Sequence, residues 1–201
     1  AGVMITASHN PAEYNGVKFK SAAGAPFSSE MTGAVEQNLG KNPVKVSEAP
    51  VPASDLWSPY RTAIESKINL KIIRDSHLKV AIDSMAGAGA EFLEEILTDV
   101  GVAVTTIDGI PAKDFGGRQA EPIAQNLQPL QTFLTQNPGF SMGLATDGDA
   151  DRLGVCYEDG SWQNAQDTIM SLGHYMVAMR KVQGDLVKTA SVTNHIQHLG
   201  A

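Results

Sequence analysis

The sequence has one cysteine, no long apolar run and no excess of basic residues, and each shortage removes a class of protein. Cys156 alone can form no internal disulfide, so a disulfide-stapled scaffold is excluded and a reducing cytoplasm is the simplest compartment. No apolar stretch approaches the ~18 residues of a membrane span, and no basic-then-apolar leader opens the sequence. Lys and Arg number 15 against 22 Asp and Glu, a formal net charge of −7, which argues against a nucleic-acid-binding surface as the main business. There is no low-complexity segment and no clear internal repeat. What remains is a globular composition, 42% hydrophobic and 18% charged over 201 residues, enough for one or two ordinary domains.

The most informative stretch is Asp147-Gly148-Asp149-Ala150-Asp151-Arg152. Three carboxylates alternate with small residues, between an apolar run from Phe140 to Ala145 and a second from Leu153 to Tyr157. This reads as strand, loop, strand, with the acids at the tip. Ionised Asp is rarely buried without a partner, and three together repel unless a cation neutralises them. Oxygen-only ligands suit a hard ion such as Mg²⁺ or Ca²⁺. The plainer alternative is a solvated acidic turn. An EF-hand loop is rejected: Glu158 falls at the twelfth position, but Arg152 stands where the turn needs Gly, and the flanks read as strands rather than helices. An Arg beside a metal suggests that an anion shares the site, because guanidinium grips phosphate well.

Elsewhere the pattern is that of an α/β protein. Gly2 to Thr6 reads as a short buried strand, followed by an exposed loop carrying Ser8, His9, Asn10-Pro11 and Asn15-Gly16. Val17 to Lys20 reads as a half-exposed strand. Ser8 and His9 admit a plain reading as turn chemistry with a surface imidazole, since a serine hydroxyl is a poor nucleophile without help. Ser28 or Ser29 caps a helix running to about Leu39, ended by Gly40. The segment Ala49 to Ala53 is a connection. Ser58-Pro59 opens a helix with Pro at its first position, and Tyr60, Ala63, Ile64 and Ile68 form its packed face. From Leu78 the order strand, Gly87-Ala88-Gly89 turn, helix from Phe92 to Val100 and strand from Val102 to Ile107 predicts a parallel sheet with helices on its faces. The turn mimics a dinucleotide fingerprint, but Phe92 occupies the place of the third glycine, so that signal is weak. A helix from Asn126 to Thr135 precedes the acidic hairpin. Beyond Gly160 the spacing predicts a helix over Asp167 to Lys181, with His174 packed or on the surface. A strand over Asp185 to Thr189 and a final helix from His195 to Ala201 follow.

Thr6-Ala7-Ser8-His9-Asn10-Pro11, followed much later by the acidic loop, resembles the α-D-phosphohexomutases, the phosphoglucomutases and phosphomannomutases. Tyr14-Asn15-Gly16-Val17-Lys18, Asp114-Phe115-Gly116-Gly117-Arg118 with Glu121-Pro122, and Val187-Lys188-Thr189 extend the likeness. The resemblance covers essentially the whole chain but only the middle of the family's usual length. It implies mixed, mainly parallel sheets flanked by helices in repeated βα domains. Residues 1–50 would be the closing part of domain 1 with the phosphoserine loop, 51–77 a connecting helical segment, 78–160 domain 2 with the metal loop, and 161–201 the start of domain 3. The opening strand-like residues and the closing helical ones then read as cuts through a larger protein. On that reading the chain alone is expected to be inactive.

The resemblance also assigns roles. Ser8 would carry a phosphate, one oxygen of which completes a Mg²⁺ site with Asp147, Asp149 and Asp151. Arg152 would hold a phosphate oxygen, Lys18 and His9 would manage the substrate hydroxyl's proton, and Lys188 would contact substrate. The implied reaction interconverts hexose 1-phosphate and hexose 6-phosphate of glucose or mannose, in a cytoplasmic enzyme, with hexose 1,6-bisphosphate as intermediate and activator. An amino-sugar phosphomutase and a catalytically incomplete metal-binding fragment are the alternatives. The motifs do not bear on oligomeric state. The acids and Ser8 lie far apart in sequence, so the reading requires the fold to bring the three carboxylates within a few ångströms of the Ser8 hydroxyl.

Overall fold

A computed structural model describes residues 1–50 and 52–200. Val51, within the predicted connection, and Ala201, at the close of the predicted last helix, lie outside the described residues. The first unit is a ribbon of two antiparallel strands, β1 (Gly2–Ile5) and β2 (Val17–Lys20), with Ile5 opposite Val17. The loop between them carries Ser8. The sequence predicts a buried β1, but Val3 and Ile5 are exposed, because a two-stranded ribbon is too small to bury a face. Helix α1 (Ser29–Glu36) follows, with the Ser28 hydroxyl accepting from the Met31 N–H as the predicted cap.

Helix α2 (Trp57–Glu65) starts two residues earlier than the Ser-Pro signal suggests, because the Asp55 carboxylate accepts from the Ser58 N–H across the first turn. Its inward face also differs from the predicted one. Tyr60, Ala63 and Ile68 are exposed, whereas Trp57, Arg61 and Ile64 turn inward. The reason is a set of distant partners, in which the Trp57 ring packs 4.4 Å from that of Phe92. Arg61 reaches Glu95 at 2.6 Å and Asp99 at 2.7 Å, and the Trp57 indole N–H donates to Glu95. A short helix within the expected helical segment, α3 (Leu70–Asp75), comes next, capped by Asn69.

The second unit is a three-layer α/β/α domain. Its sheet orders β4 (Ala103–Ile107), β3 (Lys79–Asp83), β5 (Met142–Thr146), β6 (Leu153–Tyr157) and β7 (Trp162–Gln163). β3 runs parallel to both β4 and β5, and the last two pairings are antiparallel. Side chains alternate along β3. Val80 and Ile82 pack on one face with Val102, against Leu93 and Leu97 of α4 (Phe92–Val100) and Ile73 of α3. Ala81 points the other way, toward Leu130 and Leu134 of α5 (Gln128–Gln136), with Phe140, Ala145 and Cys156. Covered on both faces, β3 is almost wholly buried, the pattern of a central strand.

Beyond β7, Asn164 caps α6 (Ala165–His174), which passes into a π-helical turn over Tyr175–Met179. His174 is exposed. The strand expected over Asp185 to Thr189 does not form: these residues are irregular and Val187 is 93% exposed. Strand propensity needs a ladder partner, and none is offered to this segment among the described residues. The expected terminal helix is a 3₁₀ helix over Asn194–Gly200. No helix among the described residues is long and apolar enough to cross a membrane.

Candidate active site

Because β3, β4 and β5 are parallel, their carboxyl ends lie along one edge of the sheet, where open α/β sheets place their sites. The acidic loop leaves β5 at that edge. Its backbone is folded around its own first residue: Asp147 Oδ1 accepts from the N–H groups of Asp151 at 2.9 Å and Arg152 at 3.0 Å. Two neighbouring segments brace the loop from outside. The Gly148 N–H donates to Ala120 O, and the Ala88 N–H donates to Gly148 O. These braces explain two glycines. A Cβ on Gly87 would stand 2.8 Å from Gly148 O, and one on Gly148 would stand 2.6 Å from Ser8 O. The Gly87-Ala88-Gly89 turn is thus a support for the acidic loop, and the weak nucleotide reading has no role here.

The last contact brings in the first unit. Ser8 sits on the ribbon loop with φ 57°, a left-handed conformation that costs a non-glycine residue about 1–2 kcal/mol. Such outliers persist where surrounding contacts hold them. Here the Ser8 N–H donates to Thr6 Oγ1 at 2.9 Å, and the Thr6 hydroxyl donates to Asp149 Oδ2 at 2.7 Å. The Ser8 hydroxyl donates to Asp147 Oδ2 at 3.3 Å, across 139 positions of sequence. The turned backbone also lays His9 beside its neighbour, with Nδ1 3.3 Å from Ser8 Oγ. Adjacent residues on a strand would point apart, but these two stand in a loop.

The candidate residues divide into those that meet and one that does not. Oxygens of Asp147, Asp149 and Asp151 all lie within 4.8 Å of one another. Lys18 Nζ, reaching over from β2, is 3.8 Å from Asp149 Oδ2. Arg152 Nε is 3.8 Å from Asp147 Oδ2, and its Nη1 is 3.3 Å from Glu121 Oε1. The same Glu121 oxygen is 4.0 Å from His9 Nε2. Lys188 stands outside this cluster. Its Nζ donates to Val192 O and Asn194 Oδ1, both at 3.0 Å.

Burial and charge separate the carboxylates. Burial pushes the Asp147 carboxyl above its ordinary value of 3.8, the charges of Asp149 and Asp151 push the same way, and the Arg152 and Asp151 N–H groups offset this only in part. Burial also acts to raise Asp149, but the hydrogen bond from the Thr6 hydroxyl and the charge of the Lys18 ammonium lead the effects that oppose it, so its carboxyl lies below 3.8. One observation fits a cation here. Asp149 Oδ1 is buried and has no hydrogen-bond partner. An orphaned buried carboxylate oxygen is costly, and a hard cation held by oxygens at about 2.0–2.6 Å supplies what it lacks. Three anionic oxygens suit Mg²⁺ or Ca²⁺.

Other structural residues escaped the sequence reading. Asp83, fully buried at the end of β3, is gripped by both terminal nitrogens of Arg118, at 2.5 and 2.8 Å. Arg118 also donates to Asp108 and Asn126 O, and so pins the loop whose Phe115 ring packs on Gly148. An Asp closing an otherwise apolar strand was the signal for that pair.

The fold and this site define an α/β protein with a serine beside three clustered carboxylates, able to hold a hard cation, on the sheet's carboxyl edge. Residues 58–160 match the phosphoglucomutase/phosphomannomutase alpha/beta/alpha domain II, and residues 1–44 match domain I of the same family. The chain belongs to the phosphoglucomutase/phosphomannomutase family. It is 33% identical over 195 residues to a probable phosphoglucosamine mutase of Methanobrevibacter smithii, covering 94% of this chain and 41% of that protein. It is 29% identical over 199 residues to a phosphoglucomutase/phosphomannomutase of Thermococcus kodakarensis, covering 97% and 43%. The crystal structure of a putative phosphomannomutase from Thermus thermophilus superposes with a TM-score of 0.88 at 34% identity, covering 99% of this chain and 46% of that one. The chain therefore spans less than half the length of each of these relatives.

Proposed function

We propose that the protein to which this chain belongs is a Mg²⁺-dependent, cytoplasmic phosphohexomutase that moves a phosphoryl group between the 1- and 6-positions of a hexose phosphate through phosphorylated Ser8. Residues 1–50 and 78–160 would be the domains carrying the serine and the metal loop, joined by the helical segment 51–77 and followed from 161 by the next domain. The observation that carries the reading is the meeting of the Ser8 hydroxyl with the acidic loop, 3.3 Å from Asp147.

Asp147, Asp149 and Asp151 would hold Mg²⁺, which when bound withdraws charge from the transferring phosphoryl group. Phosphoserine gives its phosphoryl group to the free hydroxyl of the sugar phosphate: the new O–P bond forms as the Ser8 Oγ–P bond breaks, and the hydroxyl proton leaves to a base. His9, with Nδ1 3.3 Å from Ser8 Oγ, and Lys18, 3.8 Å from Asp149, are the groups suited to manage that proton. Arg152 offers its guanidinium to a phosphate oxygen. The hexose 1,6-bisphosphate turns over in the site, and its other phosphate returns to Ser8, so the enzyme ends as it began. Lys188 would contact substrate. In the present arrangement its nitrogen is held locally, so that role requires it to exchange Val192 and Asn194 for the ligand.

Glucose or mannose phosphates are the substrates in this reading. An amino-sugar phosphate is the second reading, favoured by the phosphoglucosamine mutase name carried by the M. smithii relative. Incubating the intact protein with radiolabelled hexose 1,6-bisphosphate should label Ser8 and leave Ser8→Ala unlabelled and without turnover. Label on another residue, such as His9, would overturn the serine mechanism.

A further inference from the structure

Asp149 makes its polar contacts through one oxygen only. Oδ2 receives the Thr6 hydroxyl at 2.7 Å and faces Lys18 Nζ at 3.8 Å, while Oδ1 is buried and partnerless. The side chain is only 8% exposed, so water does not freely reorient it. The same Thr6 oxygen accepts from the Ser8 N–H at 2.9 Å, and the Thr6 N–H is tied to Gly16 O across the ribbon at 3.0 Å. One hydroxyl therefore spans 143 positions of sequence and touches both halves of the site.

We propose that Thr6 is a positioning residue that couples the serine loop to the cation loop. By engaging Oδ2 it fixes the Asp149 rotamer and keeps Oδ1 open for the cation. By accepting from the Ser8 N–H it holds the left-handed backbone that aims the Ser8 hydroxyl at the same point. A threonine does both because its hydroxyl donates once and accepts twice. Valine keeps the shape and removes both bonds, whereas serine keeps the hydroxyl. Partners that orient a ligand in this way change metal affinity by about 10- to 100-fold when removed.

The inference rests on the reading of the acidic loop as a Mg²⁺ site, and the test separates the two. Mg²⁺ binding to the intact protein is measured by calorimetry for the wild type, Thr6→Val and Thr6→Ser, with Ser8 labelling by hexose bisphosphate measured beside it. The expected result is affinity lowered about 10- to 100-fold in Thr6→Val and kept within a few-fold of wild type in Thr6→Ser, with label transfer slowed in the same order. Wild-type affinity in Thr6→Val overturns the proposal, as does an equal loss in both variants, which would make Thr6 a packing residue. If Thr6→Val does not fold, Thr6→Ala is read by the same criteria. A wild type that binds Mg²⁺ in a Thr6-dependent way but takes no label supports the coupling role and refutes the mutase reading. A wild type that binds no Mg²⁺ refutes both.

Discussion

The two halves of the candidate site rest on very different foundations. The acidic loop springs from a three-layer domain with apolar side chains packed on both faces of its sheet. The serine loop hangs from a two-stranded ribbon whose Val3, Ile5 and Val17 are all more than half exposed. The first half is held by a core and the second mainly by what it touches, chiefly Asp147, Asp149 and the backbone around Gly148. Precision in the serine loop is thus borrowed from the domain opposite. Damage to the domain should reach both halves, while truncation of the ribbon's exposed side chains, away from Thr6 and Ser8, should stay local.

The largest expected effect falls on the domain. Replacing Arg118 with Met leaves Asp83 buried and unpaired, which costs about 3–5 kcal/mol. It also frees the loop that packs Phe115 on Gly148. Chemical denaturation should show that loss, and Mg²⁺ affinity should fall with it. An unchanged denaturation midpoint would mean that Arg118 does not brace the site.

A paired truncation tests the contrast itself. Leu134→Ala empties a fully buried position between α5 and the sheet and should cost about 2–5 kcal/mol. Val3→Ala, on a 63% exposed side chain of the ribbon, should change stability by no more than about 0.5 kcal/mol. Equal losses would show that the ribbon is buried by something in the intact protein and is not a weakly held arm.

How much of this was legible in the sequence follows the same divide. The βαβ segment from Lys79 to Ile107 and the acidic hairpin could be read because local pattern and tertiary role agree there: apolar runs, a glycine turn and an amphipathic helix all point to one sheet. The motif pair also anticipated that Ser8 meets the aspartates. The structure-bearing polar contacts were not legible, because they are long-range. Thr6 with Asp149, Asp83 with Arg118, and Arg61 with Glu95 each join residues whose partners nothing local announces. The inward face of α2 was misread for that reason: Trp57 and Arg61 turn toward Phe92, Glu95 and Asp99 of α4, partners that the local apolar stripe does not announce. The predicted strand around Val187 failed because β-branched residues invite a ladder but cannot supply its other strand.

A smaller effect should appear as pH dependence. With cation removed by chelator, the raised Asp147 carboxyl favours its neutral form in the folded state, so stability should fall as pH rises from 3.8 through the raised value. The lowered Asp149 acts with the opposite sign and below 3.8, where stability is lost as pH falls. Saturating Mg²⁺ should reverse the first trend, since it binds the ionised form and stabilises by mass action. Melting curves with and without Mg²⁺ should therefore diverge with rising pH, and Asp147→Asn should remove the divergence. Coincident curves at every pH would mean that the loop holds no cation.

The central claim is that Ser8 and the three aspartates form one site. The most direct test is Mg²⁺ titration of the intact protein with Ser8 phosphorylated and with it dephosphorylated. A phosphate oxygen joining the three carboxylates adds a charged ligand, so the account predicts tighter Mg²⁺ binding by the phosphorylated protein, with the difference abolished in Asp149→Asn. Equal Mg²⁺ affinity in the two states would contradict it.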